Sequence, residues 1–125
     1  MTHQRKNMTI KTITKNIKEN IQNSLGQFDI NLSKEALNLS PPKQESFGDL
    51  SSNIALILAK QIKRNPLEIA EKLCQDLINN NIDYIDDITV TPPGFINFVI
   101  DKKFYQELEK VFENDKLIHL QESYC

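Results

Sequence analysis

The sequence predicts an α+β fold, a small antiparallel sheet with α-helices packed on one face. Apolar residues recur at spacings of three and four in four separate segments, which is typical of amphipathic helices. Two strand-like segments, residues 85–91 and 95–100, flank a Pro-Pro-Gly turn and predict an antiparallel hairpin. With 125 residues, of which 39% are hydrophobic, the chain has room for a single modest core.

The first predicted helix covers residues 8–25 and ends near Gly26. Its apolar face comprises Ile10, Ile13, Ile17, Ile21 and Leu25. Three basic residues lie outside that face and form what we call the lysine stripe, which consists of Lys11, Lys15 and Lys18. After this helix, alternation over residues 36–39 predicts a short edge strand that two prolines bring to an end.

Two turn signals predict where the next helices begin. Gly48 permits a sharp turn, and Asp49 can cap the free amides of a helix that continues to residue 62. Asn65 is a preferred N-cap residue and Pro66 suits the first helical position, here in a helix that ends at the three asparagines 79–81. We therefore expect structural roles for all four residues.

A last helix is expected after Asp101, which would cap it. Its predicted buried face comprises Phe104, Leu108, Val111 and Phe112. The resulting division of the chain is a flexible segment over residues 1–8, a single α+β domain over 9–114 and a tail over 115–125.

The second hairpin strand carries a candidate binding pair. Its side chains alternate between faces, so Ile96, Phe98 and Ile100 are expected in the core. Phe95 and Asn97 then share the outer face. An aromatic ring can stack on an unpaired RNA base while a carboxamide reads the edge of that base. The same spacing also fits an aromatic that covers a hydrophobic edge and an amide bonded to the turn backbone, so spacing alone leaves both interpretations open.

Charge and composition restrict the partners. The formal net charge is −2, yet residues 1–18 carry five basic and no acidic side chains, so any phosphate contact is expected to be local. No apolar run is long enough to span a membrane and no signal peptide is visible, so we expect a cytoplasmic protein without a membrane partner. Cys74, Cys125, His3 and His119 show neither disulfide nor metal-ligand spacing.

Motifs of catalysis are missing from the sequence. It contains no GxSxG, CxxC or GxxxxGK[ST] pattern and only three glycines. Asp86 and Asp87 are adjacent in a predicted strand and would point to opposite faces, so we interpret them as solubilising charges. The sequence thus predicts no catalytic residue and no metal site.

Separated stretches of the chain together resemble one family. Residues 47–56, Phe-Gly-Asp-Leu-Ser-Ser-Asn-Ile-Ala-Leu, followed by Leu-Ala-Lys at 58–60 and Asn-Pro-Leu-Glu-Ile-Ala at 65–70, look like the opening signature of arginyl-tRNA synthetases. Residues 93–98, Pro-Gly-Phe-Ile-Asn-Phe, resemble the closing signature, in the right order and at about the right separation. The chain is thereby similar to the additional N-terminal domain of these enzymes.

The resemblance implies a domain that reaches the outer corner of the L-shaped tRNA and contacts its D-loop. The aromatic and the asparagine that contact a D-loop base in the family correspond to Phe95 and Asn97, with Gly94 in the same element. Phosphate contacts would come from the lysine stripe or from Lys102 and Lys103. The implied partners are tRNA(Arg) and a catalytic domain, and we expect a monomer.

The family's HxGH element and KMSK-like loop do not occur in these 125 residues. The resemblance therefore implies that ATP, with magnesium, and arginine act in a separate catalytic domain, toward which residues 115–125 would lead. This chain alone is predicted to be non-catalytic and to need no cofactor. Two other hypotheses remain at this point: a free-standing protein-interaction module whose free sheet face binds another domain, and an independent small enzyme.

Overall fold

A computed structural model describes residues 9–30, 32, 36–42 and 44–107 of the chain. The helices are α1 (Ile10–Ser24), α2 (Ile54–Ile62) and α3 (Pro66–Asn79), with short 3₁₀ segments at Leu25–Phe28 and Glu45–Phe47. The strands are β1 (Leu39–Ser40), β2 (Leu50–Ser52), β3 (Ile85–Thr91) and β4 (Phe95–Ile100). They form one antiparallel sheet in the order β1-β2-β4-β3, which confirms the predicted α+β class.

Helix α1 forms as its periodicity predicts. The Thr9 side chain accepts a hydrogen bond from the Thr12 amide at 3.3 Å and caps the first turn. The buried face comprises Ile13, Ile17 and Ile21, whereas Ile10 in the first turn is 43% exposed. The α1 helix packs against α3, which also contacts α2, β3 and β4. The core therefore lies between the helices and one face of the sheet.

The predicted role of Asp49 as a helix cap is wrong. Residues 50–52 form strand β2, and α2 begins only at Ile54. The Asp49 amide donates to the Phe98 carbonyl at 2.8 Å, and its carboxylate accepts from the Ile100 amide at 2.8 Å. The same carboxylate accepts from the Tyr105 hydroxyl at 3.2 Å. Asp49 thus joins β2 to the end of β4, because pairing with a distant strand overrides the local helix signal.

The predicted helix start at Asn65 is confirmed. The Asn65 side-chain oxygen accepts from the Leu67 amide at 2.9 Å, and Pro66 is the first helical residue. The buried face of α3 comprises Ile69, Ala70, Leu73, Cys74 and Leu77. The capped start of α3 lies close to the turn between β3 and β4, where Gly94 approaches Pro66.

The hairpin β3–β4 has the bounds that the sequence predicts. Thr91 pairs with Phe95 and Thr89 pairs with Asn97 across the ladder, and the peptide bond between Pro92 and Pro93 is cis. As predicted, the side chains of β4 that face the helices are buried; these are Ile96, Phe98 and Ile100.

Other expectations differ in detail. The predicted edge strand at 36–39 is displaced to Leu39–Ser40, although it does lie at the edge of the sheet. The expected last helix is present over residues 102–107, where the Asp101 side chain accepts from the Lys103 amide at 2.9 Å and Phe104 is buried. The rest of the predicted helix, the predicted flexible segment 1–8 and the predicted tail 115–125 lie outside the described residues. No helix in the described ranges is long and apolar enough to cross a membrane.

Candidate nucleic-acid interface

A cavity of about 230 Å³ lies on the side of the sheet away from the helices. Phe95 and Asn97 from β4 both line it, so the structure brings the two predicted residues together. The other lining residues come from β1, β2, the connection between them, and the end of β3 with its turn: Ser40, Pro41, Pro42, Phe47, Ser51, Thr91, Pro92 and Pro93. The sequence had led us to expect a free sheet face. Instead, these residues surround Asn97 on that face.

Asn97 lies almost completely inside the protein, with only 1% of the residue exposed. Its Nδ2 donates to the Thr91 Oγ1 at 3.1 Å. Its Oδ1 is buried and has no hydrogen-bond partner within the described part of the chain. A buried acceptor without a partner costs about 1–3 kcal/mol, so buried polar groups are nearly always paired. The cavity is thus lined by one side chain whose buried acceptor has no partner among the described residues.

The alternative interpretation of Asn97 as an amide bonded to the turn backbone does not match this geometry. The amide bonds to a side-chain hydroxyl at the end of β3, and its other end is unpartnered. Phe95 is partly exposed and pairs with Thr91 in the ladder, so the aromatic ring and the amide lie beside the same threonine.

Gly94 determines how the hairpin turn is supported. A Cβ added at Gly94 would lie 3.1 Å from both the Cβ and the carbonyl oxygen of Pro66. That separation is tighter than ordinary van der Waals contact, so the turn packs directly on the first residue of α3. The helix start at Asn65 and Pro66 therefore supports the turn that carries one wall of the cavity.

The lysine stripe lies elsewhere on the molecule. Lys11 and Lys15 are exposed and Lys18 is partly exposed on α1, which packs on α3 in the helical layer. None of the three belongs to the described residues that line the cavity. Lys102 and Lys103 are also exposed, at the start of the helical residues 102–107. The structure therefore separates the candidate phosphate contacts from the candidate base contact.

Sequence reasoning missed several residues of the cavity. Ser51 was assigned to a helix, yet it pairs with Asn97 in the sheet and is 6% exposed. Thr91 was read only as the end of a strand, although its alternation with Thr89 places it on the same face as Phe95 and Asn97. That alternation is a signal from which Thr91 could have been found.

The described residues contain one cysteine, Cys74, on the buried face of α3. Over the described ranges, no cluster of three or more His, Cys, Asp or Glu residues could hold a metal ion. Burial, followed by the nearby charges of Asp87 and Glu71, raises the pKa of the Cys74 thiol. The thiol donates a hydrogen bond to the Ile88 carbonyl oxygen at 3.5 Å. A protonated, buried thiol is a poor nucleophile, so Cys74 acts as a core residue.

Comparisons with known proteins agree on one family. The model of the arginyl tRNA synthetase N terminal domain family matches residues 11–100. An arginine–tRNA ligase of Mycoplasma mobile is 43% identical over 109 residues, which cover 86% of this chain and 19% of that protein. One of Bartonella quintana is 44% identical over 82 residues, covering 66% of this chain and 13% of that protein.

Solved structures show the same fold. The arginyl-tRNA synthetase of Plasmodium falciparum superposes with a TM-score of 0.60 at 24% identity, covering 74% of this chain and 16% of that chain. The Thermus thermophilus enzyme superposes with a TM-score of 0.55 at 18% identity, covering 70% and 14%. The present chain thus spans less than a fifth of the length of these relatives. The chain belongs to the family of arginyl-tRNA synthetase N-terminal domains.

Proposed function

We propose that this domain binds tRNA(Arg) for an arginine–tRNA ligase and contacts the D-loop at the outer corner of the tRNA. The observation that carries the proposal is the cavity in which Phe95 lies beside Asn97, whose buried Oδ1 has no partner in the described part of the chain. A base inserted there could stack on the ring and satisfy the amide. The domain would act by positioning the tRNA.

The size of the cavity supports this occupant. A cavity of about 150 Å³ is enough to bind a benzene ring. The present cavity, at about 230 Å³, therefore has room for a single planar base with its exocyclic groups. Its lining combines two aromatic side chains, Phe47 and Phe95, with four prolines and four polar residues, which are Ser40, Ser51, Thr91 and Asn97. Such a mixture of apolar walls with a few polar groups is typical of small-ligand sites.

The lysine stripe would contribute phosphate contacts that set affinity without reading sequence. Because the net charge of the chain is −2, these contacts must come from local clusters of lysines. The stripe and the cavity lie on different sides of the domain, so both would bind one tRNA only if its folded arms reach around the helical layer. Lys102 and Lys103 offer a second exposed pair.

Catalysis would reside in another part of the ligase. There, a catalytic domain would use ATP, with magnesium, to activate arginine and attach it to tRNA(Arg) in the cytoplasm. In this proposal the domain over residues 9–114 has no cofactor of its own, residues 115–125 lead toward the catalytic domain, and the protein functions as a monomer. The isolated chain should accordingly show no arginine-dependent pyrophosphate exchange.

The test uses the complete natural protein that contains this domain. Phe95→Ala should weaken binding of tRNA(Arg) by roughly 1–3 kcal/mol whichever base occupies the site, because every base has a face to stack. Asn97→Ala should cost roughly 0.5–1.5 kcal/mol with the cognate base and less once that base is changed. Thr89→Ala is the matched control, because Thr89 is exposed on the same face of the sheet.

Dissociation constants for tRNA(Arg) and for D-loop variants would be measured together with thermal unfolding of each protein. If Phe95→Ala and Asn97→Ala fold normally and bind tRNA(Arg) as tightly as Thr89→Ala does, the cavity is not a base-binding site. Retained affinity with loss of a protein partner would instead support an interaction module.

A further inference from the structure

We propose that Arg64 is a further RNA-binding residue, which contacts a phosphate group close to the base that enters the cavity. The inference rests on the proposed function of the cavity and adds a contact with the RNA backbone. Arg64 lies in the three-residue connection between α2 and α3 and is exposed. Its guanidinium carbon lies 5.7 Å from the centre of the Phe28 ring. Arg64 is therefore a surface cation that an aromatic side chain holds in place.

The connection lies at the end of the domain where the hairpin turn packs. A Cβ added at Gly94 would lie 3.1 Å from Pro66, the first residue of α3. Pro92 and Pro93, which precede Gly94, line the cavity. Arg64 is two residues before Pro66, so their Cα atoms are at most about 7.6 Å apart. The backbone of Arg64 therefore lies close to the turn that forms one wall of the cavity.

The lysine stripe lies toward the opposite end of α3. Asn80 Nδ2 donates to Asn20 Oδ1 at 3.1 Å, next to the last turn of α3. Nearer the start of α3, Asp76 accepts a hydrogen bond from the Ser24 hydroxyl, so α1 and α3 run antiparallel. The stripe precedes Asn20 and is therefore near the end of α3, whereas Arg64 is near its start. The 14 residues of α3 separate these ends by about 21 Å.

The sequence around Arg64 is positively charged. Between Asp49 and Glu68 it contains three basic residues and no acidic residue. All three are exposed, and we call them the basic cluster: Lys60, Lys63 and Arg64. Because the net charge of the chain is −2, attraction of RNA phosphates depends on such local clusters. The basic cluster thus supplies positive charge at the end of the domain that carries the cavity.

Phe28 gives Arg64 a defined place. The Phe28 ring packs against the hydrophobic core and is only partly exposed, so it provides a fixed surface for the guanidinium. A guanidinium over an aromatic ring keeps N–H donors at its edge, where two of them can bind phosphate oxygens together. Such an arginine loses less side-chain freedom on binding than an unsupported one. Asp29, the residue after Phe28, is an exposed acid that opposes the contact and so provides a test of opposite sign.

The experiment measures binding of tRNA(Arg) by the complete natural protein over a range of salt concentrations. Arg64→Gln should raise the Kd about three- to tenfold and reduce the slope of log Kd against log salt by about 0.7–0.9, as expected for one phosphate contact. Lys72→Gln is the matched control, because it removes the same charge from an exposed position of α3 outside the basic cluster. It should leave the Kd and the slope nearly unchanged. Asp29→Asn should lower the Kd, because it removes repulsion between a carboxylate and the phosphate.

Modified tRNA then locates the contact. Uncharged methylphosphonate linkages are placed one at a time through the D-loop, and each tRNA is bound to the unmodified protein and to Arg64→Gln. At the linkage that Arg64 contacts, the variant and the modification should together weaken binding no more than either does alone. That linkage should lie within a few nucleotides of the base at which Asn97→Ala no longer weakens binding. Phe28→Leu removes the ring and keeps an apolar side chain, so it should weaken binding only while Arg64 is present.

Equal Kd values and salt slopes for Arg64→Gln and Lys72→Gln would overturn the proposal, and so would strictly additive losses at every D-loop linkage. Thermal unfolding of each variant is measured alongside. Should Arg64→Gln not fold, Asp29→Asn still decides, since asparagine accepts the positive φ of residue 29 and an unchanged Kd would count against the contact. In these cases the proposed function stands as long as Asn97→Ala weakens tRNA binding. If Asn97→Ala has no effect, the proposed function fails and this inference fails with it.

Discussion

A single methyl group added at Gly48 tests the fold and the cavity together. Gly48 has a φ of 140°, a conformation that residues with a side chain rarely adopt. A Cβ there would lie 2.8 Å from the carbonyl oxygen of Phe98 and 3.2 Å from its carbonyl carbon. Both atoms belong to the backbone of β4, so no side-chain rotation can relieve the overlap. Gly48→Ala must shift either β4 or the segment that leads into β2.

The expected cost has two parts. Holding a non-glycine residue in this backbone region costs on the order of 1–3 kcal/mol. Forcing extra volume into a packed interior costs a similar amount, typically about 1–3 kcal/mol. We therefore expect Gly48→Ala to lower the free energy of unfolding by about 2–6 kcal/mol. Small domains have only about 5–15 kcal/mol in total, so the variant should be close to unfolding.

Urea unfolding of the 125-residue chain, followed by circular dichroism, measures this loss. Gly26→Ala is the matched control, because Gly26 has no positive φ and an added Cβ would meet no described atom within 4 Å. The control should change the free energy of unfolding by no more than about 0.5 kcal/mol in the destabilising direction. Equal urea midpoints for the two variants would refute the close approach of Gly48 to β4.

Three further predictions concern other parts of the domain. Asn65→Ala removes the bond to the Leu67 amide and should lower the free energy of unfolding by about 1 kcal/mol, measured by urea unfolding; an unchanged midpoint would contradict the cap. Replacing the whole lysine stripe by alanine should reduce the slope of log Kd against log salt by roughly 2–3, without changing which tRNA is preferred; an unchanged slope would place the phosphate contacts elsewhere. Burial, and then Asp49, raises the pKa of Tyr105, so its contribution to stability is complete below about pH 10 and is lost as pH rises through the higher folded-state pKa. Tyr105→Phe should therefore lose less stability at alkaline pH, as thermal unfolding across that pH range would show.

Local patterns predicted the elements whose signals are complete within one segment. The α1 helix follows from apolar spacing, the start of α3 from Asn65 and Pro66, and the hairpin from alternation around its turn. Strand β2 could not be predicted in this way, because three residues show no period and the strand exists through pairing with β4. We therefore predicted the helix start at Asp49, before β2, whereas α2 begins after that strand, at Ile54.

The candidate site could likewise be predicted only in part. Period two placed Phe95 and Asn97 on one face, and the structure has them lining one cavity. The burial of Asn97 could not be predicted, because the residues that enclose it include Ser51 from β2 and Pro41 from the edge connection. Alternation shows which side of a strand a residue faces, whereas what covers that side depends on segments far away in the sequence.

The register of the sheet gives a physical reason why the two signature segments occur in one chain. Gly48 approaches the Phe98 carbonyl closely, the Asp49 amide donates to that carbonyl, and Ser51 pairs with Asn97. The opening segment is thus the strand that holds β4 on the side opposite to β3. If Asn97 contacts a base as proposed, a substitution at Gly48 or Asp49 should disturb that contact although neither residue lines the cavity. In Gly48→Ala protein that remains folded, the affinity for tRNA(Arg) should decrease along with stability, whereas Gly26→Ala should leave both nearly unchanged.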